Sequence, residues 1–208
     1  MNNANERILP ASTKQAIKSK NAQTAICDAT IESLITIGYA KTSLNVVAKK
    51  AGFSKGALQY HFPSKEDLVT ATANHLLERT DYKQQDKKVE FHSIHDVVFY
   101  IWNKLVNTPP YLALLEILIA TRTDNALKKR ISYTLSEWNK TLENQAIDNY
   151  QAKEVGENVG QLMTMTRSFL RGLILQKHYE PFHDETPQLE RWAIFLDSVI
   201  ELKVGDEP

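Results

Sequence analysis

Cysteine is nearly absent from the 208-residue chain, where Cys27 stands alone. One thiol excludes an internal disulfide framework and suits a reducing compartment. Long apolar runs are missing too: no stretch approaches the roughly 20 residues needed to cross a bilayer. The opening MNNANERILPAST lacks the apolar core of a signal peptide. The expectation is a cytoplasmic chain with no membrane partner. No HExxH, CxxC, GxSxG or P-loop pattern occurs, so the usual signatures of zinc hydrolysis, dithiol chemistry, serine hydrolysis and nucleotide binding are lacking. No cofactor is called for. Strand alternation is missing as well, and glycine is sparse, seven in all. The fold class expected is all-α.

What is present concentrates in TSLNVVAKKAGFSKGALQYHFPSKEDL, residues 42 to 68. Thr42 is placed to cap a short helix on which Leu44, Val47, Ala48 and Ala51 recur within one stripe of about 100°. Gly52 falls where that helix must stop and the chain reverse, because a residue without Cβ takes left-handed φ/ψ at little cost. Ser54 then caps a second helix. Leu58 and Phe62 point inward on it, while Lys55, Gly56, Gln59 and Tyr60 take the opposite side. Pro63 ends it, and Ser64 with Asp67 restarts a third helix in a capping-box-like pairing. Two helices joined by a short glycine turn give the spacing of a DNA-binding helix-turn-helix.

The pattern from Gly38 to Leu68 resembles the N-terminal DNA-binding domain of the TetR family of bacterial repressors. It is carried by Gly38-Tyr39, Thr42-Ser43-Leu44, Val47-Ala48, Ala51-Gly52-Phe53, Ser54-x-Gly56, Leu58, Tyr60-His61-Phe62 and Ser64-Lys65-Glu66-x-Leu68. The resemblance implies an N-terminal three-helix helix-turn-helix domain over residues 1–64, joined to a helical bundle over 65–208 for ligand binding and dimerisation. Lys55, Gly56, Ala57 and Gln59 then sit where the family meets base edges; lysine suits guanine and glutamine adenine. Thr42, Ser43, Ser54, Tyr60, His61 and Lys65 sit where it meets phosphates. For Tyr60 and His61 the alternative is packing at a helix end. Ala57 and Gln59 stand where the family more often has threonine and tyrosine.

A formal net charge of zero hides an asymmetry: residues 1–62 carry eight basic side chains against three acidic, and the remainder 17 against 22. A basic end on an acidic body is what phosphate binding at one end requires. Lys14, Lys18 and Lys20 precede the first helix's apolar face, either as an arm that reaches DNA or as a solvated lead. Cys27 lies near the edge of that face and reads as a packed thiol.

Further helices are expected from about residue 15 to 37, 65 to 82, 94 to 106, 111 to 122, 125 to 150, 157 to 178 and 187 to 203. The last two carry apolar faces broader than a monomer needs: Leu162, Phe169, Gly172 and Leu173, and Trp192, Leu196, Val199 and Ile200. The family pairs these helices into a homodimer, which sets two recognition helices about 34 Å apart over a palindromic double-stranded DNA operator. Glu116 is the one charge in YLALLEILIATR ahead of its closing arginine. It is either an internal ion pair with Arg122, Arg167 or Arg171, or a polar anchor in a ligand pocket with Phe99, Trp102, Tyr111, Trp138, Met163 and Arg167. Such a pocket would take an unidentified small-molecule effector, making the chain a ligand-responsive repressor. Two other classes compete: a helical adaptor that binds only protein, and an enzyme using His92 and His95.

Overall fold

A computed structural model describes residues 11–79 and 90–203. Among these the regular structure is helical apart from one pair of three-residue strands, Tyr150–Ala152 (β1) and Ile200–Leu202 (β2). The helices are α1 (Ala11–Lys41), α2 (Leu44–Ala51), α3 (Lys55–His61), α4 (Lys65–Arg79), α5 (Ile94–Tyr100), α6 (Pro109–Ala120), α7 (Asn125–Asn149), α8 (Val159–Tyr179) and α9 (Thr186–Val199). α5 runs on through a wider π-helical stretch, Ile101–Val106.

The chain divides into two compact units, and the first is discontinuous: residues through His75 join Glu116–Arg130. Its core comprises Ile26, Cys27 and Ala29 of α1, Val47 and Ala48 of α2, Leu58 of α3, and Phe62 and Leu68. Cys27 is thus a core side chain. The apolar face read in α2 forms as expected, Leu44 and Ala51 packing partly buried beside it.

Local signals set the ends of these helices. Ser43, with extended φ/ψ, caps α2 by accepting from the Val46 amide, so the cap lies one residue beyond Thr42. Gly52 (φ 73, ψ 24) closes α2, the Phe53 amide donating to the Ala48 carbonyl at 2.9 Å. That is a Schellman closure. Ser54 Oγ accepts from the Ala57 amide at 3.1 Å and starts α3. Ser64 donates to Asp67 Oδ2 at 2.6 Å and accepts from its amide at 3.1 Å, which starts α4.

The second unit holds residues 76–115 and from Ile131 onward. Its core includes Val97, Val98, Trp102, Leu114, Leu170, Ile174, Leu189 and Leu196. The helix expected to reach residue 203 stops at Val199. Beyond it Ile200–Leu202 pairs antiparallel with Tyr150–Ala152, Ile200 facing Ala152, and in this extended form the Ile200 side chain is fully buried.

Candidate nucleic-acid interface

α3 presents one face to solvent. Leu58 is fully buried and Phe62 nearly so, whereas Lys55, Gly56, Ala57, Gln59 and Tyr60 are exposed, Tyr60 to 84%. A Cβ built on Gly56 meets nothing within 4 Å. Among the described residues, this face is left to solvent. His61 is half-buried, its ring edge-on to Tyr60 at 5.3 Å between centroids.

Two of the side chains expected at phosphates are used internally. Thr42 is 1% exposed, and its hydroxyl donates to the Gly38 carbonyl at 2.8 Å. A buried hydroxyl whose one proton is committed has nothing to give a phosphate. Lys65 is turned inward: its ammonium donates to the Tyr39 carbonyl at 2.6 Å and sits 3.8 Å from the Tyr39 ring centroid. Burial lowers the Lys65 pKa. Ser43 and Ser54 stand at the N-termini of α2 and α3, where amide groups concentrate positive potential.

Lys65 belongs to a cluster that sequence reading does not assemble, centred on Tyr39. α1 breaks at Gly38, whose φ of 75 and ψ of 169 turn the following amide out of the helix. The carboxylate of Glu116 accepts that Tyr39 amide at 3.0 Å. Through Oε2, Glu116 thus satisfies an orphaned backbone donor inside the first unit, a role that neither the ion-pair nor the pocket-anchor reading anticipates. The Tyr39 hydroxyl donates to Asp124 Oδ2 at 2.5 Å, and Asp124 Oδ1 accepts from the Leu127 amide at 2.9 Å to cap α7. The Leu127 amide and then the Tyr39 hydroxyl hold the Asp124 carboxyl below its ordinary pKa; burial and the Asp124 bond push the Tyr39 phenol upward. Asp67 adds a bond from Arg130 Nε at 3.0 Å. The signals were local and readable: a glycine closing α1, and an Asp-Asn pair opening α7. Their meeting across 85 positions was not.

The side chains grouped for an effector pocket take several local environments. Phe99 stacks on His95, Trp102, Tyr111 and Met163 are core, Trp138 is half-buried and Arg167 bonds Thr164. Tyr111 accepts from Arg171 Nε at 3.2 Å. The second unit has an open groove lined by Asn107, Thr108, Leu112, Ile174, Lys177 and His178, among other residues, none of them from that group. Four side chains expected at a dimer interface, Leu162, Leu173, Leu196 and Ile200, are buried within the protomer. Phe169 stacks on Trp192 at 4.8 Å, Val199 is half-buried and Gly172 is open. The exposed apolar side chains of α8 and α9 include Met165, Leu175, Ile194 and Phe195, Ile194 to 62%.

His95 pairs with Glu190 at 3.2 Å and the His92 amide donates to Asp96. Among the described residues no group of three histidine, cysteine or carboxylate side chains is arranged to hold a metal ion, and no helix is long and apolar enough to cross a membrane.

Comparison with known proteins points the same way as the α3 face. The N-terminal domain profile of bacterial regulatory proteins of the tetR family matches residues 26–72. An HTH-type transcriptional regulator of Mycobacterium tuberculosis is 31% identical over 116 residues, 54% of this chain and 60% of that protein. The match thus spans less than two thirds of the mycobacterial relative. The HTH-type transcriptional regulator QacR of Staphylococcus aureus is 26% identical over 81% of this chain and 93% of its own. Among solved structures, the Bacillus subtilis transcriptional regulator FadR in complex with stearoyl-CoA superposes with a TM-score of 0.60 at 17% identity, over 84% of this chain and 97% of the other.

Proposed function

Because the chain belongs by its N-terminal domain to the TetR family of bacterial regulatory proteins, we propose that it is a sequence-specific DNA-binding transcriptional regulator. In this reading it binds a palindromic operator as a homodimer and answers to a small-molecule effector as a repressor. The observation that carries the reading is the solvent face of α3, polar, exposed and free of bulk at Gly56. Lys55 donates to guanine O6/N7 and Gln59 pairs with adenine, each worth about 1–3 kcal/mol of discrimination, while Gly56 and Ala57 let the helix approach closely. Ser43, Ser54, Tyr60 and His61 take the phosphates. The buried Thr42 hydroxyl leaves that set, whereas the Lys65 ammonium, with one of its three protons on the Tyr39 carbonyl, stays in it.

A single α3 touches few bases, so the reading needs two copies. Met165, Phe169, Gly172 and Leu175 on α8, with Ile194 and Phe195 on α9, offer an apolar surface for the second copy. QacR and FadR support a regulator of this kind, and FadR's complex with stearoyl-CoA supports a small-molecule effector. Selection of bound duplexes from a random pool tests the proposal: a palindromic consensus is expected. A pool that gains no consensus, together with binding to mixed-sequence duplex whose log K stays flat against log salt, would leave the protein-binding adaptor instead.

A further inference from the structure

We infer that the first half of α1 is a second DNA-contacting element, in which Lys14 and Lys18 grip backbone phosphates flanking the bases that α3 reads; this rests on the DNA-binding proposal above. The helix starts at Ala11, yet from Lys14 onward its first core side chain is Ile26. At about 1.5 Å per residue, Lys18 stands roughly 12 Å and Lys14 roughly 18 Å along the axis from Ile26. From Lys14 to Ala25 every side chain is exposed except half-buried Ser19 and Ala22. A helical segment with no core to fill is maintained for what it meets outside.

Its charge says what that is. Residues 7–27 hold Arg7, Lys14, Lys18 and Lys20 and no acidic residue. Phosphate is the complement, and a contact of this kind needs no base readout.

Its direction and face follow from the first unit's packing. Lys50, near the end of α2, pairs with Glu32 of α1 at 2.6 Å, so advancing along α2 from residue 44 to 50 retreats along α1. Phe53 in the following turn packs on the core that includes Ile26, Cys27 and Ala29. The part of α1 before Ile26 therefore projects past the turn that starts α3, on the side of Lys55 and Gly56. On a helix of 3.6 residues per turn, positions 14, 18, 25 and 32 share one stripe. That stripe carries Glu32, whose exposed carboxylate pairs with Lys50 of α2, so Lys14 and Lys18 continue the flank from which α1 reaches that helix. Lys20 falls on the opposite side.

The full-length protein is titrated with a long mixed-sequence duplex at several salt concentrations, and its footprint is mapped on a selected operator. Lys14→Gln with Lys18→Gln should shallow the slope of log K against log salt by roughly 0.9 for each phosphate no longer neutralised, or roughly 1.8 per protomer. Protection at the outer flanks should vanish while the selected base preference stays. Lys20→Gln should move the slope far less, and Lys14→Arg with Lys18→Arg should restore it. An unchanged slope and footprint in the Gln pair would overturn the inference, as would an equal per-charge change from Lys20→Gln. A parent protein whose duplex binding ignores salt would instead remove the DNA-binding reading itself.

Discussion

Replacing Glu116 by alanine tests whether the Tyr39 cluster holds the first unit together. The substitution deletes the acceptor of the Tyr39 amide, 3.0 Å from Glu116 Oε2, at a point where Gly38 has already turned that amide out of α1. An unsatisfied, partly buried amide costs about 1–3 kcal/mol, and a bond to a charged acceptor about 1.5–3. Taking about 2 kcal/mol, and about 2–4 °C per kcal/mol for a chain of this size, the thermal midpoint should fall by about 4–8 °C. Glu116→Gln keeps an oxygen in place and should cost about half as much. If DNA accepts only the placement of α2 and α3 that the bond maintains, the same free energy weakens binding by up to about 30-fold. Differential scanning calorimetry and titration with duplex DNA read the two effects. A Glu116→Ala protein that melts within about 1 °C of the parent would refute the assignment of this carboxylate as a structural acceptor.

Four further outcomes follow from the same geometry. Gly38→Ala should destabilise by about 1–3 kcal/mol, because φ 75 with ψ 169 is nearly closed to other residues and a Cβ would stand 3.3 Å from Glu116 Oε2; equilibrium urea unfolding measures it. Gly56→Ala should leave the fold intact or stabilise it by up to about 1 kcal/mol, since nothing lies within 4 Å of the new methyl, yet weaken operator binding; an unaltered operator affinity would exclude close backbone approach there. Gln59→Ala should relax base preference in a competition assay and leave mixed-sequence binding nearly intact. The depressed carboxyls of Asp67 and Asp124 contribute stability that is fully present above the unfolded value near 3.9 and lost as pH falls through their lower folded values. Unfolding midpoints should accordingly drop as the solution is taken from about pH 5 to below 3, and Asp124→Asn should flatten part of that drop.

The helix-turn-helix was legible because its instructions are local. Gly52, Ser54 and Ser64 each act on amides or carbonyls within a few positions, and the stripe Val47, Ala48, Leu58 needs only helical periodicity to be seen. The misplaced cap at Thr42 shows the limit of that reading: Thr42 and Ser43 are both capping residues, and the break at Gly38, four positions before Thr42, decides that Thr42 bonds backward and Ser43 forward. Lys65, Glu116 and Asp124 were illegible for the same reason on a larger scale. Each is an ordinary charged residue in sequence, and its partner is Tyr39, 26, 77 and 85 positions away. Ile200 was read as helix because its apolar neighbours keep helical spacing, but pairing with β1 overrides that period at the C-terminal end.

The first unit's discontinuity bears on how such proteins can be recombined. Residues 116–130 arrive from the middle of the chain and supply Glu116, Asp124 and Arg130 to the segment that carries α2 and α3. A graft that exchanges only the N-terminal stretch would bring a Tyr39 whose acceptors the recipient must itself supply. Chimeras between relatives should therefore be cut twice, carrying residues 116–130 along with the reading head, and any drift at Gly38 or Tyr39 during evolution has its compensating changes to seek at the α6–α7 corner.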